Sequence, residues 1–450
     1  MQQRPRSGRG TRILAAALAA AGLWIAIPRA SLALDTQAAT TAAAAPTDRE
    51  DEPNRQSRLD TLRVERGEDD FFAGSRLVLK PRSYFLDRNR DRGADNVAWA
   101  AGGALDYRSG WAFGWLQLAA TASTSQKLYG PADNDGTQLL KPGQRSFSVI
   151  SEANVTARFA GGNALRLGRQ TFDLPYLSRH DIRMVPNTFE AAVVGRQASQ
   201  GLSYITGYVD RIKRKNDDAF IPMSRAAGAT GIDAGVAMAG AQYVFANGAV
   251  VGALGQRSFD VMDTMFAKVE LPLQLSAATT LGLHAQYTDQ RSEGEAGIGR
   301  FSTHLASAMG ELSHGHGSVR IATSRVGSGR GIQSPFGGPP NYLAIIVENF
   351  DRAGERAWLV GGTYDCAGLG VPGLSAFANF ASGRTPDHGP QASPDESELD
   401  ITLDYRVPAN KRLSGLWIRT RGAWINQREA EGGSDYFDFR IIVNYTFDIL

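Results

Sequence analysis

Arg419 and Arg421 stand two residues apart in a stretch near 414–427 that reads as a β-strand. Alternate side chains of an extended chain share a face, so both guanidinium groups point the same way. Arg440 lies on the polar face of the closing segment, and Arg82 belongs to the first strand-like segment. If the first and last strands are neighbours, these four arginines gather on one wall. A guanidinium offers a carboxylate two parallel hydrogen bonds, so the chemistry of such a wall is anion recognition. A plainer use is also open: the same side chains would solvate a wet interior, or pair with Asp438 and Glu152.

Two further groups have chemical content. Pro175 and Pro186 bracket a segment in which Tyr176, Asp181 and Arg183 supply an aromatic edge and both signs of charge. A Gly/Pro-rich segment, Arg330 to Tyr342, offers Ser334 and Tyr342 and suits a rigid loop. Catalysis has no comparable signature. Serine, histidine and aspartate are present, but no nucleophile elbow is. His314-Gly-His316 falls in a tight turn with no third ligand nearby, so no metal is expected. Gly361-Gly362 is not a phosphate loop, Cys366 is alone, and no cofactor is expected.

The elements that must position these residues are strands. From Phe71 onward the hydrophobic period is two. In Tyr436 to Leu450, Phe437, Phe439, Ile441, Val443, Tyr445, Phe447 and Ile449 form a wholly apolar face. Asp438, Arg440, Asn444, Thr446 and Asp448 form the other, with Ile442 the exception. An apolar face this long, backed by charges, fits lipid outside and water inside. Glycine is 50 of 450 residues and the hydrophobic fraction only 42%, which disfavours a helical membrane protein needing runs of about 18 apolar residues. Eighteen strands are expected between 74 and 449, with short turns and long polar loops alternating around an antiparallel transmembrane β-barrel. The apolar run Leu343 to Val347 is placed inside a long loop, since strict alternation forbids a nineteenth strand.

Residues 1–33 read as a signal peptide: Arg4, Arg6, Arg9 and Arg12, then apolar Ile13 to Ile27, then small residues at Ser31 and Ala33. Losing its five arginines moves the formal charge from +2 to −3, which removes the case for nucleic acid. Residues 34–70, Ala/Thr-rich and then crowded with charge, read as a disordered periplasmic tail. Residues 71–450 are the barrel.

Four stretches resemble the OprD family of outer-membrane porins: Ser75 to Arg88, Leu174 to Glu190, Glu355 to Leu374, and Arg440 to Tyr445. The likeness runs in order from about Phe71 to the end. It implies an eighteen-stranded barrel whose third and seventh outer loops fold inward, and a ladder of basic side chains along one wall. Arg82, Arg419, Arg421 and Arg440 are the positions here that suit the ladder. Tyr176, Asp181, Arg183, Ser334 and Tyr342 suit the constriction, with Asp181 opposite the ladder to meet a cationic group on the solute. The chain departs from the family pattern in its long charged tail before Glu68, at Cys366 where an aromatic is common, and in its last residue, Leu450.

The expected function is passive, substrate-selective diffusion of small carboxylate-bearing solutes, amino acids or aromatic and other organic acids, across a Gram-negative outer membrane. The expected partners are those solutes, outer-membrane lipid, and the barrel assembly machinery acting on the C-terminal strand. The competing classes are an outer-membrane barrel enzyme and a plugged structural or adhesive barrel.

Overall fold

A strand that faces lipid must satisfy every backbone N–H and C=O with its neighbours, which forces closure into a barrel. The computed structural model describes Leu59, Leu62, residues 70–428 and residues 432–450. The signal peptide expected at 1–33, and all of the expected tail except Leu59, Leu62 and Asp70, lie outside the described residues.

Eighteen strands span the wall. The first nine are β1 (Arg76–Arg90), β2 (Asn96–Arg108), β3 (Leu116–Tyr129), β4 (Phe147–Arg158), β5 (Asn163–Gln170), β6 (Thr188–Arg196), β7 (Gly201–Lys213), β8 (Val236–Val244) and β9 (Val250–Ser258). The rest are β10 (Met262–Ser276), β11 (Thr279–Ser292), β12 (Ser302–His314), β13 (Gly317–Val326), β14 (Arg356–Asp365), β15 (Leu374–Arg384), β16 (Glu396–Arg406), β17 (Leu416–Gln427) and β18 (Tyr436–Tyr445). Each pairs antiparallel with the next, and β1 pairs with β18 from Arg82↔Asn444 to Arg90↔Tyr436, which closes the ring. Two short pieces are appended: Phe220–Pro222 beside β7 and Phe447–Asp448 beside the start of β1. The expected strand count holds, and Leu343–Val347 lies in a loop. Among the described residues no helix is long and apolar enough to cross a membrane.

An even strand count puts both ends of the barrel domain on one side, the side of the short turns such as 277–278 and 315–316. The other side carries the long loops: loop 2 (130–146), loop 3 (171–187), loop 4 (214–235) and loop 7 (327–355). The expected alternation of short and long connections fails twice on this outer side, at 91–95 and 259–261. At the second, Asp260 takes a positive φ of 60° and Val261 N donates to Ser258 O, so three residues suffice to reverse the chain.

Facing alternates as period two requires. On β14, Trp358 and Val360 are exposed to the exterior while Ala357 and Leu359 are buried. The interior is largely filled. Loop 3 folds in, and Leu174, Tyr176 and Leu177 pack with wall residues and with Phe336 of loop 7 in one apolar cluster. Met184 and Val185, also of loop 3, pack with Leu139, Leu140, Tyr84 and Ile442 in a second. Tyr342, Leu343 and Phe350 of loop 7 pack on Met309 and Leu359 in a third. The two loops meet directly: Ser178 N donates to Phe336 O at 3.1 Å.

Candidate functional site

Loops 3 and 7, together with the wall residues they leave uncovered, enclose a cavity of about 280 Å³ inside the barrel. Its cationic lining is Arg88 from β1, Arg183 from loop 3, Lys215 from loop 4, Arg320 from β13, Arg421 from β17 and Arg440 from β18. Asp400 of β16 is the one carboxylate among the described lining residues. Loop 7 adds Ile345, Ile346 and Val347, and β15 adds Phe377. The cavity therefore has a strongly positive rim and an apolar flank.

Strand register explains the grouping. Arg421 and Arg440 are direct partners across β17 and β18, both facing inward. Arg440 donates through Nε to Asp438, two residues away on the same face, and through Nη2 to Ile346 O at 3.2 Å. Asp438 also takes Arg88, Nη2 to Oδ2 at 2.7 Å. One buried carboxylate thus holds two guanidinium groups. Arg421 Nε reaches Thr402 Oγ1 at 3.3 Å. On the facing strands Arg320 donates to Asn379, whose Nδ2 donates to Asp400 Oδ1 at 2.8 Å.

Loop cations sit under strong mutual influence. Arg183 is buried, and burial lowers it to about 10, with repulsion from Arg440 adding to the effect. It is held by Thr137 O at 2.7 Å and Ile182 O at 2.8 Å. Burial brings Lys215 down to about 7, and Arg183 and Arg440 push it the same way. His180 is lowered well below its usual value, first by burial and then by Lys215 and Arg183, so it is neutral. Such a set of charges in a low-dielectric enclosure raises a strong local field.

The residues singled out from the sequence divide sharply. Arg421, Arg440 and Arg183 line the cavity. Arg419 faces inward on the same strand but lies outside it: it is fully buried, bonded to Asp404 through Nε at 2.8 Å and through Nη2, and stacked on Trp417. Arg82 is paired with Asn444 and with Asp181, Nη1 to Oδ1 at 2.6 Å. Asp181 is therefore part of the basic wall and is not opposite it. Loop 3 docks on the β1–β18 seam and brings the carboxylate with it. Tyr176 is an anchor: its buried hydroxyl donates to Thr288 Oγ1 at 2.8 Å. Tyr342 is buried in the apolar cluster of loop 7, and the Ser334 hydroxyl is likewise buried, so neither meets the cavity.

Arg88, Arg320 and Lys215 were not singled out. Arg88 shares parity with Arg82 on one strand, and Arg320 alternates with apolar Val319 and Ile321, so period two marks both as inward. Lys215 has no local signal, because its position depends on how loop 4 folds over the mouth; its backbone N–H is held by Asn187 Oδ1 at 2.8 Å.

A closed barrel with an inward-folded third and seventh loop and a basic seam wall can be compared with known proteins. Residues 69–449 match the model of the outer membrane porin, OprD family. The chain belongs to the OprD family of outer-membrane porins. Among curated relatives, Porin D of Pseudomonas aeruginosa is 22% identical over 412 residues, covering 84% of this chain and 92% of that one. The porin-like protein GalP of Pseudomonas putida is 24% identical over 394 residues, covering 84% and 93%. Solved structures share the fold. Pseudomonas aeruginosa OccK9 (OpdG) aligns with a TM-score of 0.77 at 22% identity, and OpdK crystallised with vanillate with 0.74 at 24%. Each covers 84% of this chain and all of the other. As a family member this porin is a channel of the Gram-negative outer membrane.

Proposed function

We propose that this porin passes small organic acids that join one carboxylate to a compact apolar or aromatic body. The observation that carries the reading is the lining of the cavity: six cations against Asp400, with Phe377 and the isoleucines of loop 7 beside them. A carboxylate entering between Arg183 and the Arg421–Arg440 pair exchanges hydration for guanidinium N–H donors in steps, and no single donor holds it tightly. Its apolar body then slides along loop 7.

A zwitterion with a cationic side chain is the less favoured solute. Its cationic group would enter among six like charges, with Asp400 as its one partner among the described lining residues, where Asn379 already donates to it; Asp181 is engaged by Arg82. Vanillate, the compound in the OpdK crystal, has the favoured chemistry and makes a direct probe. In liposome-swelling assays the expected order of rates is vanillate and benzoate first, then arginine, then glucose. Equal rates for benzoate and arginine would overturn the assignment of solute class, and equal rates for all four would overturn selectivity altogether.

The C-terminal strand supports a reading for assembly as well. β18 carries the most regular lipid face and pairs with β1 to close the ring, so it is the segment we assign to recognition by the barrel assembly machinery. Catalysis is not part of this proposal; the relatives are channels.

A further inference from the structure

Water should fill the lumen of a porin, so inward-facing side chains are expected to be polar. The wall from β6 to β9 breaks this rule. On β6 to β9 the inward rows carry Val193, Ile205, Met238 and Leu254, each at most 3% exposed. Gly195 on β6 and Gly252 on β9 interrupt the same rows, leaving a groove where a side chain would otherwise stand. Both glycines lie near the short turns, one residue before the end of β6 and two after the start of β9, so the groove is in the periplasmic half.

Leu59 and Leu62 occupy this groove. They are 1% and 4% exposed and belong to the same cluster as the four wall residues. Their fit is specific. A Cβ built on Gly195 would meet Leu62 Cβ at 3.1 Å, and one on Gly252 would meet Leu59 Cδ1 at 2.6 Å. Removing two leucine side chains from water favours this seat, an attraction a solvated wall could not supply. Eight residue steps separate Leu62 from Asp70, a reach of at most about 26–29 Å. Asp70 sits at the short-turn rim, where its carbonyl accepts from Gly74 N at 3.0 Å and abuts Gly110 in the β2–β3 turn.

We infer that the groove on β6 to β9 is a docking site for the chain's own N-terminal segment, which enters the lumen from the periplasmic side, seats Leu59 and Leu62 against Gly252 and Gly195, and takes cross-section from the solute path. The groove lies on a different wall from the arginines, so the segment and the basic rim face the passing solute from two sides. The inference does not depend on which solute passes.

Cross-linking and conductance test it on the full chain. With Cys366→Ser as background, the pair Leu62→Cys/Gly195→Cys has a Cβ separation close to that of a disulfide. It should lose all reactivity to a maleimide-polymer label in outer membranes and regain it after reduction. Leu62→Cys/Ser318→Cys pairs the same position with an inward site on β13 and should stay labelled throughout. Deleting residues 49–66 leaves the wall intact and should raise single-channel conductance on the order of 1.5-fold, the effect of removing one peptide chain from a pore. A folded Leu62→Cys/Gly195→Cys barrel that labels fully without reduction overturns the docking. Conductance unchanged by the deletion overturns it too, and does so even if Gly195→Cys fails to assemble.

Discussion

Arg421 and Arg440 stand directly opposite each other on β17 and β18, two cations side by side on the inner face of the closing seam. Like charges at paired positions cost a sheet stability, and here Asp438 offsets the cost by binding Arg440 and Arg88 together. The arrangement keeps an excess of positive charge pointed at the cavity. Arg421→Gln should therefore leave barrel yield unchanged while lowering benzoate flux about fivefold relative to glucose, the effect of roughly 1 kcal/mol from one partly screened charge. Arg421→Lys should recover part of it. Swelling assays at low and high salt check this: the difference should shrink as salt rises, and a fall of equal size for benzoate and glucose would make Arg421 mere wall lining.

Glu398 on β16 should set the rigidity of loop 7. Its buried carboxylate accepts from Val347 N at 3.0 Å and Glu348 N at 2.7 Å, just beside the apolar flank of the cavity. Glu398→Ala removes the acceptor of two part-buried donors, at up to about 1 kcal/mol each. Planar-bilayer traces of that variant should show larger and noisier openings with weaker preference for anions. Glu398→Gln keeps one acceptor oxygen and should fall between. Quiet, unaltered traces from the alanine variant would mean that loop 7 holds its place without Glu398.

The wall was far more legible in the sequence than the constriction. Period two assigns Arg421 and Arg440 inward and Trp358 and Val360 outward without reference to any partner, because a pleated strand has only two faces. Parity would equally have found Arg88 and Arg320. Loops have no such rule. Tyr176 and Tyr342 have the residue type of pore aromatics, yet both are turned into apolar clusters, where the ring is buried and, for Tyr176, Thr288 takes the hydroxyl. Asp181 was expected across the pore and instead rides on Arg82, since the loop carrying it docks on the seam. Long-range packing decides these positions, and local spacing carries no trace of it.

Val360, outward on β14 and 44% exposed, tests the assignment of faces away from the seam. It sits near the middle of its strand, where an arginine facing lipid costs about 2–4 kcal/mol. Val360→Arg should sharply reduce the heat-modifiable, folded form in outer-membrane fractions. Val360→Leu should match the parent. Normal yield of the arginine variant would mean that this face does not meet hydrocarbon.

Anion preference should depend on pH through Lys215. Burial, aided by Arg183 and Arg440, lowers its ammonium to about 7. Below that value Lys215 is charged and adds to the positive rim; above it the group is neutral and the rim loses one cation. Its neighbour His180 is held neutral by the same burial, so it does not titrate in this window. Asp351 in loop 7 is raised to about 7, by burial first and then by Glu355 and Glu348, and it acts in the same direction: protonated at low pH, it withdraws a negative charge. Reversal potentials in a salt gradient should accordingly shift from stronger to weaker anion selectivity between pH 6 and pH 8.5, with a midpoint of about 7. Lys215→Met should start at the weaker value and retain a smaller slope, to which Asp351 contributes. Lys215→Arg should stay at the stronger value through pH 8.5, because a guanidinium resists deprotonation far better than an ammonium. A parent channel whose reversal potential is flat across this range would show that Lys215 is solvated more fully than its position at the cavity allows. A slope that survives unchanged in Lys215→Met would move the effect away from Lys215.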